Sequence, residues 1–193
     1  HCIKRVVDIL EEHHKKGDEL AVVVSAQRGV TDQLIEAAQA LPTAKDSSAI
    51  APLIQSLSKR HMTTLEGAAP DFVPEVGKEI EDRLIALESI LLAIYNLREL
   101  TPRSRDHIIS YGERFLAPIL GAALRQRGLA STVLDGCEAG ILTTHQHGES
   151  TSLPESDDRI QKRVGLLLKK EIPVIMGFMG CTKDGVLTTL GRS

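Results

Sequence analysis

The sequence predicts an α/β fold with a mostly parallel sheet and a helical insertion, and three observations support this class. Three short segments are predicted as strands of a parallel sheet: Ser131–Leu134 and the two apolar runs Leu20–Val24 and Ile172–Met176. Segments with apolar residues at helical spacing stand between these runs. Helix, strand and helix follow one another within the first 41 residues, which is the order typical of α/β proteins.

The first 24 residues predict a helix followed by a buried strand. Apolar residues recur at helical spacing between charged residues over residues 2–16, which indicates an amphipathic helix. Gly17 is expected to end it. The run Leu20–Val24 is continuously apolar and β-branched, so we expect it to be the central strand of the sheet, buried on both faces.

The next residues, Ser-Ala-Gln-Arg-Gly from Ser25, predict a tight turn from this strand into a helix. Apolar spacing becomes helical from Val30, and Thr31 or Asp32 can supply the oxygen that caps the new helix. The carboxyl end of a parallel strand, with hydroxyls and free backbone N–H groups at a helix start, is where anions bind in open α/β sheets. On geometry alone, an ordinary strand-to-helix connection fits the turn equally well.

Residues 42–100 predict a helical insertion, because apolar residues keep helical spacing over 49–65 and 75–100. Residues 45–48 are its expected exposed linker, and its histidines and charges are expected to form a solvated face. We therefore divide the chain into a first helix-strand-helix segment (1–41), the insertion (42–100) and the remainder of the α/β lobe with a C-terminal hairpin (101–193).

A carboxylate in the middle of an apolar helix face is the most informative feature of the third segment. Glu113 falls within a stripe of buried positions, where an unpaired charge costs several kcal/mol. Two interpretations remain open: an ion pair with Arg103 or Arg105, or a carboxylate presented to a cationic group of a ligand. The adjacent Gly112 weakens the helix by roughly 1 kcal/mol relative to Ala, which suggests that another element packs closely there.

The residues on either side predict the start of this helix and the elements that come after it. Pro102 prevents the preceding helix from continuing, and Ser104 is a plausible cap for the next one. Residues 148–158 are polar and are expected to form an exposed loop before another amphipathic helix. Asp184-Gly185 predicts a hairpin with a type I′ turn.

We assign no chemistry to two pairs of potential ligand residues in the C-terminal half. Asp135 and Glu138 are interpreted as solvated loop acids. His145 and His147 resemble half of a metal site, but no further Cys or His stands at ligand spacing, so we expect no metal there.

The composition excludes several classes of partner. A net charge of -3, 3% aromatic residues and no Trp argue against nucleic acid. The apolar segment Leu84–Leu97 is too short for a bilayer, which needs about 20 apolar residues, so no membrane partner is expected. Three widely spaced cysteines without a secretory signal favour reduced thiols and a cytoplasmic protein.

Three segments resemble, in order, the signatures of aspartate kinases, members of the amino acid kinase superfamily. The first is Val-Val-Val-Ser-Ala-Gln-Arg-Gly-Val-Thr-Asp, and the second is Leu-Thr-Pro-Arg-Ser-Arg-Asp-His-Ile-Ile-Ser-Tyr-Gly-Glu-Arg-Phe-Leu. The third is Gly-Phe-Met-Gly, a hairpin, and Thr-Leu-Gly-Arg. The resemblance implies a three-layer α/β sandwich, and a reaction in which the β-carboxylate of L-aspartate attacks the γ-phosphate of ATP, with Mg²⁺ bridging phosphates, to give 4-phospho-L-aspartate. That is the first step towards lysine, threonine and methionine.

The resemblance also implies roles for particular residues. Glu113 would bind the ammonium of aspartate and Arg192 its α-carboxylate, which the planar guanidinium of arginine suits. The remaining implied contacts are substrate orientation by the hydroxyls of Ser25 and Thr31, a pocket wall at Phe178, and a phosphate or substrate contact at Ser193.

Two parts of the family pattern are missing from these 193 residues. No Lys-Phe-Gly-Gly-Thr-Ser loop precedes the first helix, and Arg192 is followed directly by Ser193 rather than by the nucleotide-binding half. We therefore expect the acceptor-binding N-terminal lobe of an aspartate kinase, inactive alone, with no catalytic residue of its own. ATP and Mg²⁺ would bind largely to other parts, and a homodimer is expected.

Two alternatives stay open at this point. One is another member of the superfamily, acting on glutamate or acetylglutamate. The other is a non-catalytic fragment or paralogue that binds an amino acid or a partner without transferring phosphate.

Overall fold

The computed structural model describes residues 2–191, which form helices around a small parallel sheet and a separate hairpin. Short 3₁₀ turns at Leu41–Thr43 and Pro70–Phe72 link helices. In chain order the elements are α1 (Cys2–Lys15), β1 (Val22–Val24), α2 (Val30–Ala40), α3 (Ile50–Ala68), α4 (Val73–Leu97), α5 (Pro102–Ile109), α6 (Tyr111–Gln126), β2 (Ser131–Leu134), α7 (Gly136–Ala139), α8 (Glu155–Leu168), β3 (Ile172–Met176), β4 (Met179–Cys181) and β5 (Leu187–Thr189).

The main sheet has three parallel strands in the order β1-β3-β2, which confirms the predicted α/β class. Val174 and Met176 of β3 face the main hydrophobic cluster, against which α6 packs. Ile175 faces the other way, into a second cluster with Leu134 of β2 and Val164 of α8. Helices therefore cover both faces of the sheet, and the fold has three layers.

The expectation that the first strand is central is wrong, because β1 lies at the edge and β3 occupies the centre. All five residues of β3 are buried, whereas Val23 of β1 is 68% exposed. Val23 pairs with Ile175 and so shares its face of the sheet. Helix α8 packs against β3, so the cover on that face reaches the central strand but leaves the β1 edge open.

The helical segment shares its core with the α/β part. Leu57 of α3, Leu87 of α4 and Ile119 of α6 belong to one cluster of buried side chains. None of the helices within residues 2–191 combines the length and the apolar character needed to cross a membrane. The predicted boundaries at 41 and 100 stay predictions, since buried side chains are continuous across them.

A proline inside α6 explains one link between α4 and α6. Pro118 has no N–H group, so the carbonyl of Arg114 lacks its usual helical donor. The guanidinium of Arg83 on α4 donates to that carbonyl instead. The carbonyl that lacks its helical donor in α6 thus forms a hydrogen bond between α4 and α6.

Two helix starts differ from the predicted caps. Helix α2 begins at Val30, with Gly29 at the N-cap in the left-handed region (φ 80°) rather than Thr31 or Asp32. Helix α5 is capped by the Thr101 hydroxyl, which accepts a 3.0 Å hydrogen bond from the N–H of Ser104. Pro102 explains the shift, since proline favours the first position of a helix, and the cap is then the residue before it, Thr101.

Two polar regions are more buried than predicted. His61 is fully buried rather than part of a solvated face, with Nδ1 2.7 Å from the carbonyl of Leu57 and its ring 4.8 Å from that of Phe115. In the expected exposed loop, α8 already begins at Glu155, and Ser156 is buried, where its hydroxyl accepts from the N–H of Leu142. Hydrogen bonds at Nδ1 of His61 and at the Ser156 hydroxyl offset part of the cost of burial, although Nε2 of His61 is buried without a hydrogen-bond partner.

The predicted C-terminal hairpin is confirmed, but its turn type is wrong. Strands β4 and β5 pair antiparallel, and the N–H of Gly185 donates to the carbonyl of Thr182 at 2.9 Å. A type I′ turn requires positive φ at both central residues. Here Gly185 has φ 78° and Asp184 does not have positive φ, so the loop is a type I turn followed by a left-handed glycine.

Candidate functional site

The candidate site lies where β1 and β3 reach the same edge of the sheet. Val24 and Met176 are the last residues of these strands and are paired across the ladder. The N–H of Gly177 donates to the carbonyl of Val24 at 2.9 Å, so the chain leaves both strands together. Ser25 and Phe178 therefore follow the same edge, which is where ligands bind in open parallel sheets.

Glu113 reaches this edge from the first turn of α6. Its side chain is 2% exposed, and Oε1 accepts a 3.1 Å hydrogen bond from the N–H of Ala26. The hydroxyl of Ser25 lies 3.5 Å from the same oxygen, a long contact. The predicted pair of Ser25 and Glu113 thus comes together at the end of β1.

The second carboxylate oxygen of Glu113, Oε2, is buried without a hydrogen-bond partner. Burial raises the pKa of Glu113, and the hydrogen bonds from backbone N–H groups and Ser25 only partly oppose this. A buried acceptor left unpaired is costly, and a cationic donor would satisfy it. The arrangement is therefore suited to an ammonium group.

The alternative ion pair with Arg103 or Arg105 does not form. The groups that donate to Glu113 are those of Ala26 and Ser25. Arg105 instead lines a pocket beside Phe178. Among the described residues, the carboxylate is therefore not neutralised by an ion pair.

Gly112 permits the close approach that the sequence predicted. A Cβ at this position would lie 2.6 Å from the Cβ of Ala26 and 3.6 Å from Oγ1 of Thr31. Any larger residue would push α6 away from the turn after β1. The absence of a side chain therefore brings Thr31, Ala26 and Glu113 into one neighbourhood.

Phe178 forms part of a neighbouring pocket of about 440 Å³. Its backbone is in the left-handed region (φ 63°), which is uncommon for a residue other than glycine and is typical of constrained sites. Ile35, four residues after Thr31, and Ile109, four residues before Glu113, line the same pocket. Helices α2 and α5 thus line the pocket, and α6, which follows α5 directly, carries Glu113.

The predicted residues Arg192 and Ser193 lie outside the described residues. The described chain reaches Gly191, which lines the pocket of Phe178. The N–H of Leu190 donates to the carbonyl of Phe178 at 3.0 Å. The segment that leads to Arg192 is therefore attached directly to the Phe178 turn.

The acidic and imidazole groups that looked like possible ligands have structural partners. Asp135 and Glu138 form a reciprocal capping box at the start of α7, and Glu138 is exposed, as expected for a solvated acid. Nδ1 of His147 lies 2.8 Å from the Asp106 carboxylate. Within residues 2–191, no group of three or more acidic, histidine or cysteine side chains is placed to hold a metal.

This finding also bears on Mg²⁺, which prefers clustered oxygen ligands. The described part of the chain does not fit that requirement, so we assign no residue to the ion.

Two groups at this edge of the fold were not predicted from the sequence. One is the N–H of Ala26, a backbone donor that no side-chain pattern reports. The other is Asp106, a fully buried carboxylate between Arg105 and His107, neither of which is buried. The one signal in the sequence is spacing: Asp106 stands three residues before Ile109, so the two share the buried face of α5.

Comparisons with known proteins show which family the chain belongs to. Curated relatives include the aspartokinase of Schizosaccharomyces pombe, 29% identical over 98% of this chain and 38% of the relative. The aspartate kinase of Pseudomonas putida is 26% identical over 98% of this chain and 32% of the relative. The chain therefore spans about a third of the length of these relatives.

Solved structures give the same fold. E. coli aspartokinase III in complex with aspartate and ADP superposes with a TM-score of 0.81 at 21% identity, over 98% of this chain and 40% of that one. The same enzyme with lysine and aspartate gives a TM-score of 0.85 at 21% identity, over 99% and 40%. The model of the amino acid kinase family matches residues 1–192, and the chain belongs to that family.

Proposed function

We propose that this chain is the acceptor-binding lobe of an aspartate kinase, which transfers the γ-phosphate of ATP to the β-carboxylate of L-aspartate and yields 4-phospho-L-aspartate. The observation that carries the proposal is the buried Glu113, whose Oε2 lacks a donor at the edge where ligands enter a parallel sheet. An α-amino acid supplies the missing donor as its ammonium group. The aspartokinase names of the relatives support the choice of aspartate.

The residues of this chain would bind and orient the substrate rather than carry out bond making. Glu113 would accept from the ammonium, and the hydroxyls of Ser25 and Thr31 would hold the substrate at the start of α2. Phe178 would exclude water from one side, and Arg192 would hold the α-carboxylate in a bidentate pair. Such alignment is a large part of catalysis of phosphoryl transfer, because the reaction needs little covalent work from the protein.

ATP and Mg²⁺ would be held mainly by parts of the protein other than residues 2–191. The structure of E. coli aspartokinase III is a complex with aspartate and ADP, which supports a nucleotide partner. No described residue is assigned to either group. A phosphate contact at Ser193, a homodimeric assembly and a cytoplasmic location remain predictions.

The test uses the protein that the gene encodes, assayed for ADP formation from ATP with L-aspartate, L-glutamate or N-acetylglutamate as acceptor. Aspartate-dependent turnover with little activity towards the other two is expected. Preference for glutamate or acetylglutamate would assign the chain to another branch of the superfamily. Aspartate binding without turnover would instead identify a non-catalytic module.

A further inference from the structure

The buried carboxylate of Asp106 joins three separate segments of the chain. Asp106 lies on α5 and is 0% exposed. Its Oδ1 accepts a 2.6 Å hydrogen bond from the hydroxyl of Thr189, and its Oδ2 accepts from the N–H of Thr189 at 3.3 Å and of Gly148 at 3.1 Å. Nδ1 of His147 lies 2.8 Å from Oδ2, where an ionised carboxylate can only accept, so the imidazole donates.

We propose that Asp106 is a positioning residue for the substrate site, which holds the end of β5 and the Phe178 turn in register with the helix that carries Glu113. The proposal rests on the proposed function above. Asp106 acts through its neighbours, since its own oxygens are occupied by hydrogen bonds from β5 and the loop around residue 148.

Backbone hydrogen bonds connect Thr189 to the Phe178 turn. The residue after Thr189, Leu190, donates its N–H to the carbonyl of Phe178 at 3.0 Å. Gly191 donates to the carbonyl of Ser150 at 3.1 Å, and Ser150 donates to the carbonyl of Thr189 at 3.2 Å. Because these bonds join main chains, a shift of Thr189 moves Phe178 and the segment that leads to Arg192.

The other side of the connection leads to Glu113, seven residues after Asp106 in the sequence. Helices α5 and α6 are joined through Ser110, whose N–H donates to the carbonyl of Asp106 at 3.1 Å. The carbonyl of Ser110 accepts from the N–H of Arg114 at 3.1 Å, so hydrogen bonding continues across the junction. Asp106 thus connects the Phe178 turn to the helix that carries Glu113, and so would set the spacing between these two sides of the proposed amino acid site.

The test replaces Asp106 with asparagine in the protein that the gene encodes. Asp106→Asn keeps the shape but turns one acceptor into an NH₂ donor that faces other donors, so β5 is expected to shift. The KM for aspartate should rise about tenfold or more, while the KM for ATP and kcat change less than about threefold. A purely structural role would lower the folded, active fraction and therefore kcat, without changing the KM for aspartate.

A second pair of variants keeps the proposal testable if Asp106→Asn does not fold. Thr189→Val removes the hydroxyl that donates to Oδ1 and should raise the KM for aspartate, whereas Thr189→Ser retains that hydroxyl and should behave like the wild type. An active wild type, with an aspartate KM that none of the variants that fold changes, would overturn this inference alone. A wild type without aspartate-dependent transfer would overturn the proposed function and this inference with it.

Discussion

Replacing Glu113 with glutamine tests the central feature of the site, a buried carboxylate with a free oxygen. Glu113→Gln preserves the size of the side chain and the hydrogen bond from Ala26, but it removes the charge that faces the proposed ammonium. A charge-assisted hydrogen bond, or a pair at 4 Å near a protein surface, is worth about 2–4 kcal/mol. The KM for aspartate should therefore rise roughly 30- to 1000-fold.

The assay measures initial rates in the protein that the gene encodes, with aspartate varied at saturating ATP and ATP varied at saturating aspartate. The KM for ATP should stay nearly unchanged. Glu36→Gln, an exposed glutamate of α2, is the matched control and should alter neither constant. Equal effects of Glu113→Gln on both substrates, or an aspartate effect no larger than that of the control, would refute the reasoning.

Glu113→Gln should weaken aspartate binding without lowering the stability of the fold. Burial raises the pKa of Glu113 above its ordinary 4.5, so the folded state favours the neutral acid. The stability that this group contributes is present below pH 4.5 and is lost as the pH rises through the raised pKa. Thermal unfolding at pH 7.5 should therefore show Glu113→Gln to be at least as stable as the wild type, although it binds aspartate more weakly.

Two further substitutions, each with a matched control, test packing beside Glu113 and titration in the helical core. Gly112→Ala would place a Cβ 2.6 Å from that of Ala26 and should destabilise the protein by about 1–3 kcal/mol in urea unfolding. Gly165→Ala on α8 meets nothing within 4 Å and should stabilise it by up to about 1 kcal/mol, so equal effects would contradict the close-approach argument. Burial lowers the pKa of His61 below its ordinary 6.5, so stability is present above pH 6.5 and is lost as the pH falls through the lowered pKa. Unfolding from pH 7.5 to 5 should show a smaller acid loss in His61→Leu than in the wild type, and an unchanged loss in the exposed control His14→Leu.

The fold class could be predicted from the sequence because periodicity is a local property. The strands β2 and β3 have the predicted bounds, and α1 ends within one residue of the predicted end. Strand order is not local. The apolar run at Leu20–Val24 looks the same whether it lies at the centre or at an edge, and only the pairing of β3 with both neighbours decides that Val23 is exposed.

Burial of polar residues was the other limit of the sequence analysis. His61 follows Lys59 and Arg60 in the sequence, and its position inside the core depends on Phe115, more than 50 residues away. Ser156 is buried because its hydroxyl serves the backbone of Leu142. Such partners come from distant parts of the chain, so hydrophilicity alone assigned both residues to the surface.

Glu113 could be predicted as a site residue from the sequence, whereas Asp106 could not, and the difference has a physical reason. Glu113 interrupts an apolar face beside a helix-weakening glycine, and the structure leaves one of its oxygens without a donor, so the local conflict persists in the fold. A conflict that the protein does not resolve by itself is what a ligand can resolve. Asp106 is equally buried, yet its acceptors are filled from β5 and from the residue 148 loop. The unpaired Glu113 is therefore visible in the sequence as a charge on an apolar face. The positioning role of Asp106 becomes visible only from its hydrogen bonds to distant segments of the chain.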